Sequence, residues 1–188
     1  MTIEWTSGVR SEERVAAVED SGLLGTGPDD AFDRFVELAA ELTGAKRCCI
    51  TLVDADSFNY LSTMGVAEGF PDSGKIEESF CRYVVGEGRP LVVNDALNDP
   101  RVLDNPAIEL YGVVAWAGYP IEDSRGNIFG TFCLIDTKPH TWSDRDILIL
   151  ATLAKAVSTE IALRLSRAET AAARKELENL RDSRREPR

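Results

Sequence analysis

The residues of this sequence with the clearest capacity for chemistry are its four thiols, Cys48, Cys49, Cys81 and Cys133. A structural zinc ion takes four thiolate or imidazole ligands at short spacings, and the sequence has no Cys-x-x-Cys pair. His140 is the only histidine, so we expect no metal site. Cys48 and Cys49 are adjacent in a strand-like run and should point to opposite faces of the strand. The simplest interpretation is that all four are reduced thiols in a protein core.

The chain is acidic overall, but its charge is uneven. The 188 residues carry a net charge of −11, and 44% of them are hydrophobic, as expected for a globular protein. From Arg164 onward, eight basic and five acidic residues give a local charge of +3, so residues 1–163 carry −14. An acidic body repels phosphate groups, and a basic tail is usually a solvated helix face. We therefore expect no nucleic-acid partner.

The sequence also gives an expectation about cellular location. Its first residues lack the basic region and apolar core of a signal peptide. No apolar run approaches the roughly 18 to 20 residues that cross a bilayer. These features predict a cytoplasmic protein with no membrane partner.

The first of the secondary-structure elements that position the four cysteines is a β-hairpin over residues 113–136. Two apolar runs rich in Val, Ile, Phe, Tyr and Trp flank a polar turn at residues 123–127, where Asp, Ser, Gly and Asn favour chain reversal. The second run, residues 128–135, is almost wholly apolar and predicts a central strand covered on both faces. Further strands are predicted over residues 46–54, 59–64 and 90–93.

Helical periodicity and start or stop signals predict several helices. They cover residues 11–24, 30–43, about 77–85 before Gly86, and about 144–181. Residues 1–10 are predicted to be disordered. The chain then divides into a domain over residues 11–163 and a C-terminal helical extension, expected to be a coiled coil, over residues 164–188.

The last helix has the best-marked start. Ser143 can act as N-cap and Asp146 can return a hydrogen bond to it, while Trp142 can pack on Ile147 as a hydrophobic staple. At 1.5 Å per residue the helix is ~55 Å long, so its far end must leave the domain. An apolar seam on a projecting helix predicts a parallel homodimer, with a solvated single helix beyond Leu165 as the alternative. The predicted dimerisation residues are Ile161, Leu165, Ala168, Ala172, Leu177 and Leu180.

A long connection over residues 94–112 separates the strand at residues 90–93 from the hairpin. Connections longer than about 12 to 15 residues are uncommon in compact domains unless they bind something or are disordered. Apolar residues such as Val102 and Ile108 favour an ordered segment folded over the sheet. This segment is therefore a candidate lid.

Several motifs, taken in order, resemble those of one family. They are residues 31–34 (AFDR), 52–54 (LVD), 79–81 (SFC), 91–96 (LVVNDA) with 99–101 (DPR) just behind, 119–121 (YPI) and 130–136 (GTFCLID). Together with the order of elements, they make roughly residues 12–163 similar to a GAF domain, the small-molecule sensing module of signalling proteins. The resemblance is to the branch found upstream of bacterial histidine kinases, diguanylate cyclases and sigma-regulating phosphatases.

The resemblance implies an α+β fold with a central antiparallel sheet of five or six strands. Terminal helices would lie on one face, and a pocket on the other, under the short helix and the long connection. Aromatic walls with a few polar groups would suit a small planar ligand, and an arginine could pair with a ligand anion. The implied ligand-binding residues are Phe80, Tyr83, Asn94, Asp95, Arg101, Trp116, Tyr119 and Phe132. Alternatively, Phe80, Tyr83 and Phe132 belong to the core, and Asp95 only caps a turn.

No familiar cofactor of the family is expected. Bilin-binding members carry a Cys followed by His, but Arg82 follows Cys81 here. A haem site would need an axial histidine, and His140 lies on a loop beside Pro139. The ordered signature of cyclic-nucleotide-binding members cannot be matched.

Three functions remain open. The resemblance favours a non-enzymatic bacterial sensory domain that binds a small molecule or partner and signals through its last helix to an output domain or partner protein. The alternative enzyme is a free methionine sulfoxide reductase, with Cys81 as the attacking thiol and Cys133 a doubtful second thiol. A third possibility is a ligand-free fold that serves only for dimerisation.

Overall fold

The core of the protein is an antiparallel sheet flanked by helices. The computed structural model describes residues 4–26, 29–67 and 71–183. This part of the chain contains six strands in the order β3-β2-β1-β6-β5-β4, with every neighbouring pair antiparallel. The strands are β1 Arg47–Val53, β2 Ser57–Met64, β3 Ser73–Lys75, β4 Leu91–Val93, β5 Ala115–Glu122 and β6 Ile128–Asp136. The predicted α+β fold with five or six antiparallel strands is confirmed.

Helices cover both faces of this sheet. They are α1 Thr6–Val9, α2 Glu12–Asp20, α3 Asp30–Thr43, α4 Cys81–Glu87, α5 Ala107–Tyr111 and α6 Asp144–Ser183, with a 3-10 turn at Ile76–Glu78. Residues of α2, α3 and α6 pack on one face and form the helix-side core. Residues of α1, α4 and α5 pack on the opposite face and form the pocket-side core. No helix among the described residues is long and apolar enough to cross a membrane.

Successive side chains of the central strands point to opposite faces of the sheet and so belong to different cores. Cys48 and Ile50 of β1 face the helix-side core, whereas Cys49 and Val53 face the pocket side. β6 lies between β1 and β5, and all its residues except Ile128 are buried. The predicted central hairpin is therefore confirmed. Its second strand, β6, is apolar on both faces, and both faces are covered by helices.

The start of α6 forms as its sequence predicts. The Ser143 amide donates to Asp146 Oδ2 at 3.0 Å, and the Asp146 amide donates to Ser143 Oγ at 3.2 Å. These reciprocal bonds satisfy donors that a helix N-terminus otherwise leaves unpaired. Trp142 is buried, and its indole N–H donates to the Val93 carbonyl at 3.2 Å. The junction between β6 and α6 is thus fixed to the edge strand β4.

The N-terminal segment differs from its prediction. Residues 1–3 lie outside the described part, but residues 4–10 are not disordered, since they include α1 and the fully buried Val9. The reason is a close backbone approach to α4: a Cβ on Gly8 would lie 2.1 Å from the Gly86 carbonyl oxygen. Only glycine at position 8 permits that contact, and the sequence pattern alone gives no sign of it.

The boundaries of α4 also differ from the prediction. The helix does not stop at Gly86 but continues to Glu87, and Gly88 forms the cap with φ 69°. Gly86 instead makes room for Trp5, because a Cβ there would lie 2.5 Å from the Trp5 carbonyl oxygen. Glu77 and Glu78, predicted to begin the helix, lie in the preceding 3-10 turn.

Candidate functional site

A small cavity lies in the pocket-side core. It is bounded by β1, β2 and β6 on one side, and by α4 and the end of the 94–112 segment on the other. Its volume is about 30 Å³, room for one or two water molecules. Ala107 and Tyr111 line it, so the long connection folds over the sheet as predicted.

Three of the four thiols line this cavity. Cys49 and Cys133 are directly opposite each other on β1 and β6, and Cys81 is the first residue of α4. Cys133 therefore lies beside Cys49 in the sheet and shares the cavity lining with Cys81. Cys48 points into the helix-side core, as its adjacency to Cys49 predicted. All four thiols are free and buried.

The environment of Cys81 and Cys133 holds these two thiols in the protonated form. The hydrogen bond with Cys133, followed by burial, raises the pKa of Cys81 well above its usual range. The pKa of Cys133 is raised in the same direction, chiefly by its hydrogen bond with Cys49. Among the described residues no cluster of His, Cys, Asp or Glu is arranged to hold a metal ion. The arrangement therefore favours the neutral thiol form of Cys81 and Cys133 at neutral pH.

Two threonines sit beside the thiols and differ in one respect. Thr51 and Thr131 are paired across β1 and β6, and both are fully buried. The Thr131 hydroxyl bonds Cys81 Sγ at 3.1 Å. The Thr51 hydroxyl lines the cavity but has no hydrogen-bond partner within the described ranges. A buried hydroxyl without a partner is costly, so the cavity offers a polar ligand atom an available bond.

Aromatic side chains form the walls. Phe80 of the loop before α4 lies 5.7 Å from Trp116 of β5, measured between ring centroids, and Phe58 and Tyr60 of β2 are in edge contact at 5.3 Å. All four line the cavity. Burial raises the pKa of Tyr60, so its hydroxyl stays protonated at neutral pH. These rings give the cavity an apolar wall around its few polar groups.

The cavity is closed over by Tyr111 at the end of α5. Arg47 Nη1 of β1 donates to the Tyr111 carbonyl at 2.7 Å, and the Tyr111 hydroxyl donates to Glu78 Oε2 at 3.2 Å. All three residues line the cavity and are only partly buried. Since these two bonds hold the end of the 94–112 segment to β1 and to the 3-10 turn, breaking them would open the cavity.

The structure brings three of the predicted ligand-binding residues to this region. Phe80 and Trp116 line the cavity. Tyr83 is buried behind it, with its ring 6.0 Å from Phe80 in an edge contact. The Tyr83 hydroxyl accepts hydrogen bonds from Arg82 at 2.7 Å and from Asn105 at 3.3 Å, so it supports α4 and does not face a ligand.

Three other predicted residues lie elsewhere, in an open surface groove after β4. Asn94 and Arg101 are exposed, and Arg101 pairs with Asp99 at 2.6 Å. Asp95 accepts from the Leu97 amide at 3.1 Å and from Asn98 at 2.7 Å, which makes it the turn cap that was the alternative interpretation. Their placement at the pocket was wrong, because the 94–112 segment reaches the cavity only at its far end.

The remaining two predicted residues face away from the cavity. Phe132 is fully buried in the helix-side core, and Tyr119, its direct partner across β5 and β6, packs against that same core. This corrects their assignment to the pocket. Strand residues alternate between faces, and in a strand buried on both sides the sequence does not show which face is which.

Sequence reasoning missed most of the polar residues of the cavity, including Arg47, Thr51, Glu78 and Tyr111. One signal could have found Thr51: it is a hydroxyl residue in an otherwise apolar strand, two positions from Cys49 and therefore on the same face. The other three lie in separate elements, and nothing in their local sequence links them.

The comparisons with known proteins agree on the fold. The family model described as GAF domain matches residues 27–161. The blue-light absorbing form of the PixJ GAF domain of Thermosynechococcus elongatus superposes with a TM-score of 0.62 at 19% identity, covering 87% of this chain and 95% of that one. Free methionine-R-sulfoxide reductase of Neisseria meningitidis, solved in complex with its substrate, gives 0.58 at 16% identity, covering 84% and 88%.

A curated relative is also similar in sequence. It is a cyclic di-GMP phosphodiesterase of Pseudomonas aeruginosa, 28% identical over 151 residues, which make up 79% of this chain. The match covers 25% of the relative, so the chain spans about a quarter of its length.

Proposed function

Since this chain belongs to the GAF domain family, we propose that it is a non-enzymatic sensory domain whose cavity beneath α5 binds a small molecule. Ligand binding is signalled through a dimeric α6 to an output domain or to a partner protein. The observation that carries the proposal is a cavity lined by a fully buried hydroxyl, Thr51, that has no partner in the described part of the chain. A ligand atom that bonds this hydroxyl would remove the cost of leaving it unpaired.

The ligand must be very small, or the 94–112 segment must move. The present volume of about 30 Å³ admits a molecule of two or three heavy atoms. A larger ligand would displace Tyr111, which two hydrogen bonds hold in place. The polar groups near Tyr111 and the aromatic walls would then bind a compact molecule with both polar and apolar parts.

The fold supplies a route from the cavity to α6. Cys133 of β6 lines the cavity, and the same strand leads directly to the junction at which α6 begins. α6 packs on β5 and β6 from the other face of the sheet. A ligand that binds two arrangements of this sheet with different affinity would therefore bias the position of α6.

Native mass spectrometry of the purified full chain tests both parts of the proposal. We expect a dimer with a mass excess that disappears on denaturation, or that appears when a small-molecule mixture is added. A thermal shift measured with the same mixture should rise in parallel, because binding stabilises the folded state. A spectrum that stays at the sequence mass, with no thermal shift, would contradict ligand binding.

One observation favours the reductase alternative: three thiols, including Cys81 and Cys133, line one cavity. One observation opposes it, since the cavity is far too small for methionine sulfoxide. Turnover of free methionine sulfoxide that is lost in Cys81→Ser would support this alternative. The ligand-free alternative is opposed by the residual volume and by the unpaired Thr51 hydroxyl.

A further inference from the structure

The three cavity thiols are nucleophilic groups that simple ligand binding does not use. We propose that Cys81 and Cys133 form an intramolecular disulfide when a small uncharged peroxide, of the class of hydrogen peroxide, enters the cavity. The inference rests on the proposed function, because the same cavity that would hold a ligand admits the oxidant. It makes the domain a sensor of peroxide through its own thiols.

The first support is the placement of the two sulfurs. Thr131 and Cys133 lie two residues apart on β6 and so point to the same face, towards α4. Cys81 begins α4, its sulfur accepts a hydrogen bond from Thr131 at 3.1 Å, and it lines the same cavity as Cys133. The two sulfurs therefore share one small cavity, in which they can approach each other to the S–S bond length of about 2 Å.

The second support is independent and points to a small polar guest. The cavity of about 30 Å³ fits one molecule of hydrogen peroxide, which is only slightly larger than water. The Thr51 hydroxyl, unpaired within the described ranges and fully buried, can bond a peroxide oxygen there. Larger oxidants are excluded by the aromatic walls and by Tyr111 while the 94–112 segment is closed.

Cys81 is the better attacking thiol of the pair. The hydrogen bond from the Thr131 hydroxyl to the Cys81 sulfur, at 3.1 Å, favours the thiolate and partly offsets the causes that raise the pKa of Cys81. Cys133 lines the same cavity and can react with the sulfenic acid formed on Cys81.

The chemistry balances with one peroxide and two thiols. The Cys81 sulfur attacks one peroxide oxygen, so an S–O bond forms, the O–O bond breaks, and the departing oxygen takes the thiol proton and leaves as water. The Cys133 sulfur then attacks the Cys81 sulfenic acid, so the S–S bond forms, the S–O bond breaks, and a second water leaves. Two thiols are oxidised to one disulfide, and the peroxide is reduced to two waters.

The disulfide would tie α4 to the central strand. Cys133 lies directly opposite Cys49 of β1 in the reduced state, and moving its sulfur towards Cys81 would weaken that cross-strand contact. Since β6 continues into α6, oxidation would act on the element that leaves the domain.

The test treats the reduced full chain with hydrogen peroxide, blocks the remaining thiols and maps the peptides. Trypsin places Cys81, Cys133 and the adjacent pair Cys48 and Cys49 on three different peptides. We expect the titratable thiols to fall from four to two, with the Cys81 and Cys133 peptides joined. The rate should increase with pH, because a larger thiolate fraction forms as the pH approaches the raised pKa of Cys81.

Matched variants come from the other two thiols. Cys48→Ser, on the opposite face, and Cys49→Ser, in the same cavity, should both keep the link between Cys81 and Cys133. In Cys133→Ser, Cys81 should stop at the sulfenic acid and be trapped by dimedone after unfolding. A link between Cys49 and Cys133 in the wild-type chain, or four thiols that survive peroxide, would overturn the inference. In either case a ligand seen by native mass spectrometry would leave the proposed function standing.

Discussion

At the scale of single residues, the pair Thr51 and Thr131 shows that the neighbouring side chains decide whether a buried hydroxyl is hydrogen-bonded. The two residues have the same side chain, lie opposite each other on β1 and β6, and are both fully buried. One hydroxyl bonds a sulfur, and the other has no partner in the described part of the chain. Leaving a buried hydroxyl unpaired costs about 1–3 kcal/mol, so Thr51 lowers the stability of the ligand-free protein. A group kept at such a cost is a reasonable candidate for binding.

The first prediction compares two matched substitutions. Thr51→Val should raise the free energy of unfolding of the ligand-free chain by about 1 kcal/mol, since it removes the unpaired hydroxyl with little change of volume. Thr131→Val should lower it by about 1 kcal/mol, since it removes a hydrogen bond that is made. Urea unfolding of both variants measures the difference. Equal losses of stability in the two variants would show that Thr51 has a partner after all.

At the scale of elements, the exit of α6 from the domain is held by one cluster. Arg164 donates two hydrogen bonds to the Asp29 carboxylate, at 2.5 and 3.0 Å, and one to Glu160 at 2.7 Å. Its guanidinium also lies 4.5 Å from the Phe32 ring centroid. Asp29 is the N-cap of α3, so this cluster joins the start of α3 to the last packed turn of α6. Beyond it, every residue from Ser166 to Arg181 is exposed.

The second prediction concerns Arg164→Gln, with Arg167→Gln as the control on the exposed part of the same helix. Arg164→Gln should lower stability by up to about 1 kcal/mol at neutral pH, and the control should change it little. The hydrogen bond from Arg164 is the largest cause that lowers the pKa of Asp29. A lowered carboxyl pKa contributes stability above its unfolded value of about 4, and this is lost as the pH falls through the folded pKa. Thermal unfolding between pH 7 and pH 2 should therefore show the two proteins converging in acid; a constant difference would contradict the ion pair.

At the scale of the whole molecule, α6 serves two purposes along its 40 residues. Ile161 is fully buried in the helix-side core, and Leu165 packs against that core, so both are used by the domain itself. The other predicted dimerisation residues, Ala168, Ala172, Leu177 and Leu180, lie on the projecting part and are exposed. Exposed leucines on a projecting helix favour pairing with a second copy, which would bring two cavities into one signalling unit.

The third prediction tests this seam. Leu177→Glu should weaken the dimer at least tenfold, because it places a charge among apolar side chains at the proposed interface. Ala171→Glu adds the same charge on the side of the helix opposite Leu180 and should leave association nearly unchanged. Analytical ultracentrifugation over a range of concentrations measures both. A monomeric wild-type chain, or equal effects of the two variants, would remove the helix from the proposed mechanism.

The sequence by itself determined the elements and their order. The central hairpin, the capping box at Ser143 and the opposite directions of Cys48 and Cys49 depend on neighbouring residues, and local backbone preferences decide them. The order of those elements was enough to identify the fold. It was also enough to place a long segment over one face of the sheet.

Only the tertiary structure decided which side chains share the cavity. Thr51, Cys81 and Cys133 are far apart along the chain, and they meet because strand register and the packing of α4 bring them together. The same register turned Phe132 away from the pocket and into the helix-side core. In a strand buried on both faces, either direction satisfies the apolar pattern, so a choice of face is made by pairing across the sheet and not by local sequence.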